Sequence, residues 1–165
     1  MWEIKAPKHY KDSARPWVFL AGSIEMGAAE DWQKRISEEL TEERGTILNP
    51  RRDDWDSSWE QTIQNDNFRQ QVEWELEALE SSDLIVLYLS PGTKSPISLL
   101  ELGLFWTKPM IVCCPEGFWR KGNVDIVCKR YGIPSVETLD HLMVGLKARL
   151  RENIKETSVG SAVPE

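Results

Sequence analysis

Residues 81–116 read SSDLIVLYLSPGTKSPISLLELGLFWTKPMIVCCPE, and this stretch decides the fold class. Two continuous apolar runs of strand length, residues 83–89 and 110–114, flank a glycine-containing loop and a short helix. Continuous rather than alternating apolar runs are typical of a parallel sheet that is covered on both faces. Ligands of such sheets bind beyond the carboxyl ends of the strands. We therefore predict an α/β protein with its ligand crevice at residues 90–98.

One carboxylate, Glu101, stands between Leu100 and Leu102, directly behind this predicted crevice. We place Glu101 in the first turn of the short helix, where the positive end of the helix dipole would keep it ionised at neutral pH. A charge among apolar residues is costly to bury. Glu101 is therefore the first candidate for a catalytic residue.

The rest of the chain alternates between strand and helix patterns, with no internal repeat. We predict helices over residues 28–43, 60–80 and 137–151, and three more strands at residues 17–21, 46–48 and 133–136. The predicted parallel sheet thus has five strands. We assign residues 1–16 to an irregular leader, residues 17–151 to a single domain and residues 152–165 to a mobile tail.

Composition excludes several classes of function. The net charge of −7 and the pI near 5.0 argue against a nucleic-acid partner, which would require a basic face. Residues 1–16 do not resemble a signal peptide, and no apolar run reaches membrane-spanning length. We expect the three cysteines to be reduced thiols, because the adjacent pair falls in one strand with its side chains on opposite faces. A cytoplasmic location follows as an expectation.

The chain has only two histidines, His9 in the leader and His141 in the last helix. Neither lies near other catalytic signals, so a Ser-His-Asp triad, a Cys-His pair and a histidine-rich metal site are disfavoured. We expect no metal and no organic cofactor. The chemistry is then left to carboxylates, hydroxyls and backbone amides.

Two glycine-containing loops follow strands. The first, AGSIEMG, begins at Ala21, and its Gly22, Ser23 and Ile24 would present free amides to an anion or a hydroxyl-rich ligand. The second loop, PGTKSP, covers residues 91–96. Neither loop matches a dinucleotide or P-loop motif, and two ordinary tight turns remain an alternative interpretation. Glu25 disfavours a phosphate dianion through charge repulsion.

A third loop, NPRRDDWDSSW at residues 49–59, combines charged residues with two tryptophans. One interpretation is a solvated turn held by salt bridges. The other is ligand contact, in which Trp55 stacks on a planar base while Arg51 and Asp53 offer hydrogen bonds to its edge. The sequence leaves both open.

A set of short motifs in a fixed order resembles the nucleoside 2-deoxyribosyltransferases and the related nucleotide N-glycoside hydrolases. These motifs are AGSI after the first strand, a WE pair late in the long helix, SSDLIVLYLSP, and a serine six residues before ELG. The resemblance implies a flavodoxin-like three-layer fold around the parallel sheet. It also implies a glutamate nucleophile at Glu101 and an acidic residue that assists the base at Glu75, where the family more often has aspartate.

The resemblance bears on the substrate as well. At the position of Ser95 the transferases have an aspartate and the hydrolases a phosphate-binding serine, whereas the hydrolases carry an arginine at the position of Glu25. Ser95 therefore favours a nucleotide substrate, whereas Glu25 disfavours a phosphate group. We give the charge of Glu25 more weight, because a serine can equally bind a 5′-hydroxyl. The family shares a residue between subunits, for which Asn123 is the candidate by position.

The expected function is therefore base exchange on a 2′-deoxynucleoside, with a nucleoside and a free nucleobase as small-molecule partners. Hydrolysis of a nucleoside or its 5′-monophosphate, and non-catalytic nucleotide sensing, remain alternatives. We expect a homo-oligomer with a shared site, whose interface would suit Phe105, Trp106 and Phe118 unless these residues are ordinary core. The preferred base, the tolerated sugar and the size of the oligomer are not encoded in these motifs.

Overall fold

The computed structural model of the chain describes residues 1–24 and 31–159, with side chains as far as residue 152. Strands and helices alternate along this part of the chain: β1 (Trp2–Lys5), β2 (Trp17–Gly22), α1 (Trp32–Glu39), β3 (Thr46–Asn49), α2 (Asp66–Ser81), β4 (Leu84–Tyr88), α3 (Pro96–Leu104), β5 (Met110–Cys113), α4 (Lys121–Tyr131), β6 (Ser135–Val136) and α5 (Leu139–Val159).

The strands form one parallel sheet in the order β1-β3-β2-β4-β5-β6. The predicted α/β class and three-layer arrangement are confirmed, although the sheet has six strands rather than five. Without β1, the order is that of the doubly wound flavodoxin-like sheet. In this order the chain changes direction across the sheet between β2 and β4, so a crevice is expected at the carboxyl ends of these two strands.

The strands of the sheet centre are buried on both faces, as their continuous apolar sequences predicted. In β4, the residues that alternate along the strand belong to two separate cores: Ile85 and Leu87 face one, and Leu84 and Val86 face the other. Helices α2, α3 and α4 pack on the first core, and α1 and α5 pack on the second. The crevice at the carboxyl ends of β2 and β4 is thus bordered by strands that are packed on both faces.

The sixth strand, β1, lies in the segment that we predicted to be an irregular leader. Its four residues pair in parallel with β3, and the chain that follows is packed as well. Tyr10 is buried between Trp17 and Trp74, with ring centroids 5.1 and 5.6 Å away. A short edge strand that leaves Trp2 exposed has no continuous apolar run, which is why its pattern was not recognised.

Three helices also differ from the prediction. Helix α1 begins at Trp32, after its cap Asp31, and ends at Glu39 rather than residue 43. Helix α2 begins at Asp66 rather than residue 60, because the Asn65 side chain accepts a hydrogen bond from the Phe68 amide (3.0 Å) and caps the helix there. Helix α5 continues to Val159 rather than ending at residue 151. Of the predicted tail, residues 160–165 lie outside the described residues.

Candidate active site

Three hydroxyl groups meet at the predicted crevice, beyond the carboxyl ends of β2 and β4. Ser23 Oγ lies 2.6 Å from Ser95 Oγ and 2.9 Å from Thr93 Oγ1, and Thr93 Oγ1 lies 2.9 Å from Ser95 Oγ. Ser23 Oγ also accepts a hydrogen bond from the Ser90 amide (2.9 Å), and Thr93 donates to the Ser90 carbonyl (2.8 Å). We call Ser23, Thr93 and Ser95 the hydroxyl cluster. It joins the loop after β2 to the loop before α3.

Gly22 allows the close approach that positions this cluster. Its φ is +141°, and a Cβ at this position would lie 2.2 Å from the Tyr88 carbonyl oxygen. The Ser23 amide donates to the same oxygen (2.9 Å), which extends the β2–β4 pairing to the edge of the crevice. Ile24 is half-buried directly after it. The role that we predicted for Glu25 falls outside the described residues.

Glu101 lies in α3, but its position corrects our expectation. The helix begins at Pro96, after Ser95 in the left-handed conformation (φ 45°, ψ 53°), so Glu101 is in the second turn rather than the first. Its side chain belongs to the buried face of α3 together with Ser98 and Leu102. At this depth the helix N-terminus has little influence on its charge, since the dipole effect falls off within the first turn.

The expectation that Glu101 is held ionised is also wrong. Burial, and to a smaller extent the charge of Glu75, raises the pKa of Glu101 to about 8. A carboxyl with this pKa is mostly protonated at neutral pH in the free protein. The structure therefore gives Glu101 a proton that must be removed or moved before the group can act as a nucleophile.

Glu75 is half-buried in α2, and the structure brings it close enough to Glu101 for the two carboxyls to interact electrostatically. Burial raises the pKa of Glu75 to about 7, while a hydrogen bond from Gln71 acts in the opposite direction. Two interacting carboxyls lose their protons in steps that belong to the pair. Between about pH 7 and 8, the pair holds on average one proton.

A shared proton gives the pair complementary chemistry. When the proton is on Glu75, Glu101 is a carboxylate with nucleophilic oxygens and Glu75 is a general acid. In catalytic sites that cleave glycosidic bonds, one carboxyl of a pair is protonated and acts as the acid while the other is ionised and acts as the nucleophile. The geometry of this site thus fits acid-assisted nucleophilic substitution.

The loop after β3 is held by its own charges, as one of our two interpretations predicted. Arg52 is buried and donates from Nε and Nη2 to the two carboxylate oxygens of Asp54 (2.7 and 2.9 Å), and its guanidinium lies 4.9 Å from the Trp59 ring centroid. Trp55 packs edge-on against Trp59, with centroids 5.2 Å apart. This packing leaves a half-buried aromatic surface beside the crevice.

The two polar residues proposed for base recognition face the β1 edge of the sheet. Asp53 accepts a hydrogen bond from Lys5 of β1 (2.6 Å), and Arg51 lies 3.8 Å from the Asp31 carboxylate at the start of α1. These contacts bind the loop to its neighbours. They do not bring Arg51 or Asp53 to the carboxyl pair, so their role in ligand contact stays a prediction.

Asn123 is exposed in the first turn of α4. No contact joins it to the hydroxyl cluster or the carboxyl pair within the described residues. It lies in the same layer as α2 and α3, on a surface that a second chain can reach.

Two residues of the site were not predicted, Thr93 of the hydroxyl cluster and Gln71. Gln71 is buried in α2, one turn before Glu75, and its Nε2 donates both to Glu75 Oε1 and to the Pro50 carbonyl oxygen, each at 2.7 Å. The four-residue spacing from Glu75 was a usable signal, because side chains at this separation are neighbours on a helix. The contact between Gln71 and Pro50 gave no such signal, because it joins positions that are far apart in sequence.

Within residues 1–24 and 31–152, no cluster of three or more histidine, cysteine, aspartate or glutamate side chains has the arrangement of a metal site. The three cysteines, Cys113, Cys114 and Cys128, are free and buried. None of the helices in the described part of the chain is both long and apolar enough to span a membrane.

The sheet order and the crevice beyond β2 and β4 define an α/β protein with a flavodoxin-like sheet. Residues 15–118 match the sequence profile of the family described as nucleoside 2-deoxyribosyltransferase like. The chain therefore belongs to the nucleoside 2-deoxyribosyltransferase-like family.

Two further comparisons concern individual proteins. A conserved protein from Enterococcus faecalis V583, whose crystal structure is known, is similar over 82% of this chain and 99% of its own. The TM-score is 0.58 and the sequence identity is 16%, so this likeness concerns the fold alone. No curated protein matches the chain by sequence.

Proposed function

We propose that the chain is a nucleoside 2′-deoxyribosyltransferase, which exchanges the base of a 2′-deoxynucleoside through a covalent glutamyl-deoxyribosyl intermediate. The observation that carries this proposal is the pair formed by the half-buried Glu75 and the buried Glu101, whose raised pKa values let it hold one proton near neutral pH. Membership of the family supports the choice of nucleosides as the substrate class.

In the first half-reaction, a carboxylate oxygen of Glu101 attacks the anomeric carbon as the bond to the base nitrogen breaks. The electron pair of that bond leaves with the base, which takes the proton of Glu75. The product is an ester between Glu101 and deoxyribose, with the anomeric carbon inverted.

In the second half-reaction, a free base attacks the same carbon and the ester bond to Glu101 breaks. Glu75 accepts the proton that the incoming base loses, so both carboxyls return to their starting states. Two inversions give net retention of configuration. Transfer requires that water be kept from the ester until the second base binds.

Hydrolysis of a nucleoside or its 5′-monophosphate is the second candidate, and the hydroxyl cluster favours it. Ser95 stands where the related hydrolases bind phosphate, and the hydroxyls of Ser23 and Thr93 lie within 2.9 Å of its own. In this reaction water replaces the second base, and Glu75 removes its proton. A nucleoside 5′-hydroxyl would be served by the same cluster.

One experiment separates these reactions from non-catalytic sensing. The protein is incubated with deoxyinosine or its 5′-monophosphate, with and without free adenine, and the products are resolved by chromatography. Deoxyadenosine formation supports base exchange, whereas hypoxanthine release that adenine does not redirect supports hydrolysis. Binding without turnover of either compound would contradict an enzymatic role and support a sensor.

A homo-oligomer with a shared site is part of the proposal. Helix α3 carries Glu101 on its buried face and exposes Ile97, Leu100 and Leu104, each more than half accessible, on the other. Trp119, before α4, and Ile126, in α4 three residues after Asn123, are exposed apolar residues as well. A second copy of the chain on this layer would cover the surface and bring its own Asn123 near the crevice.

The aromatic residues suggested for that interface divide between the two interpretations. Phe118 is buried in the core and Phe105 packs against it, whereas Trp106 is 43% exposed and contacts Tyr131 at 4.8 Å between centroids. Trp106 therefore remains the aromatic candidate for the interface. The free cysteines support our further proposal of a cytoplasmic location.

A further inference from the structure

The side-chain amide of Gln71 has one possible orientation. Its 4% exposed side chain lies between two oxygen acceptors, the Pro50 carbonyl and Glu75 Oε1, each 2.7 Å from the same nitrogen. A carbonyl oxygen donates no proton, and neither does an ionised carboxylate. The NH2 group must therefore face both of them.

We propose that Gln71 is the positioning residue for Glu75: its amide fixes the carboxyl in one rotamer and determines which oxygen carries the proton. This inference rests on the function proposed above, in which Glu75 protonates the leaving base. Because Oε1 accepts from Gln71, it takes the role of the carbonyl oxygen, and the proton of the neutral acid is placed on Oε2. Oε2 is then the atom that serves the base.

The other end of the amide supports a functional reason for Gln71. Its Oε1 is buried and has no hydrogen-bond partner among the described residues. A buried acceptor without a partner is destabilising, and an apolar side chain of the same length would avoid that cost. An apolar residue at position 71 would, however, lose both hydrogen bonds that Gln71 Nε2 donates.

Gln71 also ties the site together across the chain. Pro50 begins the loop that carries Trp55 and Trp59, and the charge of Glu75 acts on Glu101 of α3. A single amide thus links the loop after β3 to the helix of the general acid. Because the charge of Glu75 raises the pKa of Glu101, the titration of both carboxyls reports the contact.

The test replaces Gln71 by Met, which keeps the length of the side chain and removes both donors. The matched control is Gln70→Met, the same change at the preceding, exposed position of α2. Gln71→Glu is the second variant, because it keeps the shape of the side chain. Thermal unfolding of all three establishes that each is folded before the other measurements.

Two readouts follow, one of them independent of activity. Carbon-13 NMR titration of the glutamate carboxyls should show a higher pKa for Glu75 in Q71M and Q71E, and no change in Q70M, since a donor to the ionised form is lost. In turnover of deoxyinosine, kcat of Q71M should fall about tenfold or more with KM nearly unchanged, and the alkaline limb of its pH profile should move upwards.

The outcomes separate this inference from the function on which it rests. If the wild-type protein shows no turnover but the Glu75 titration moves in Q71M alone, the proposed enzymatic function fails and the contact stands. A Glu75 titration that is the same in wild type, Q71M and Q71E overturns the positioning role. So does a Q71M enzyme with wild-type kcat and an unmoved pH profile.

Discussion

Ser23 Oγ lies 2.6 Å from Ser95 Oγ, so the residue directly after β2 is hydrogen-bonded to the residue directly before α3. Ser23 in addition accepts from the Ser90 amide. The contact holds the helix of Glu101 against the switch point of the sheet. The hydroxyl cluster therefore connects the loop after β2 to α3, and it is also a candidate binding site for the sugar of the substrate.

Replacing Ser23 by Ala should destabilise the protein by about 1–3 kcal/mol, because the buried Ser90 amide loses its acceptor. The free energy of unfolding from urea denaturation measures this. Ser57→Ala, in an exposed loop, is the control and should change stability by less than about 0.5 kcal/mol. Equal stability of the two variants would show that the Ser23 hydroxyl carries no structural role.

Gly22→Ala should be among the most damaging small substitutions in the chain. The new methyl group would lie 2.2 Å from the Tyr88 carbonyl oxygen at a φ that side chains rarely adopt, so β2 and β4 must separate. We expect a loss of about 3 kcal/mol or more in unfolding free energy. Gly122→Ala, in α4 with open space around it, should instead be neutral or stabilising by up to about 1 kcal/mol.

The rate of turnover should depend on pH as a bell with its maximum between about pH 7 and 8. Activity falls at lower pH because both carboxyls are protonated and no nucleophile remains, and at higher pH because the acid is lost. Initial rates of deoxyinosine turnover from pH 5 to 10 test this. A rate that stays flat across that range contradicts the shared proton.

Glu101→Gln should change the pH dependence of stability in a defined direction. The folded protein holds the Glu101 proton up to about pH 8, whereas the unfolded chain releases it near pH 4.5. Since the folded state binds more protons in that window, wild-type stability falls as the pH rises through it. The variant lacks this group, so its stability relative to wild type should increase from pH 5 to pH 8 in urea denaturation. An unchanged difference would contradict the raised pKa.

Leu100→Glu should dissociate the proposed oligomer. The substitution places a charge in the middle of the exposed apolar face of α3, which a second copy would have to bury. Val144→Glu, at a position that is also more than half exposed, on α5 in the opposite helical layer, is the matched control. Sedimentation velocity should show a smaller species for the first variant alone. A wild-type chain that sediments as a monomer contradicts the shared site.

The fold was predictable because the central strands are buried on both faces and therefore have continuous apolar sequences. Strand β4 and the helix after it required no knowledge of distant contacts. The edge strand β1 was missed for the opposite reason, since none of its four residues is fully buried and they gain their structure from pairing with β3. A strand that depends on pairing with a distant strand leaves little trace in the local hydrophobic pattern of the sequence.

The site was predictable in its residue types but not in its electrostatics. Glu101 stood out as a charge among leucines, yet its protonation depends on how deeply α3 is buried and on its distance from Glu75. Pro96 was the signal for where α3 begins, because proline favours the first helical position, and it places Glu101 one turn further in. Gln71 depends on Pro50, a contact that no spacing predicts.

The central claim is that Glu101 forms a covalent bond to the sugar, and mass spectrometry of the acid-quenched protein tests it most directly. Wild-type protein quenched during turnover of deoxyinosine should carry one deoxyribosyl group on the peptide that contains Glu101. The Glu101→Gln variant should carry none, and its kcat should be at least about a hundredfold lower. An unmodified wild-type peptide, together with a variant that keeps most of its activity, would contradict the account.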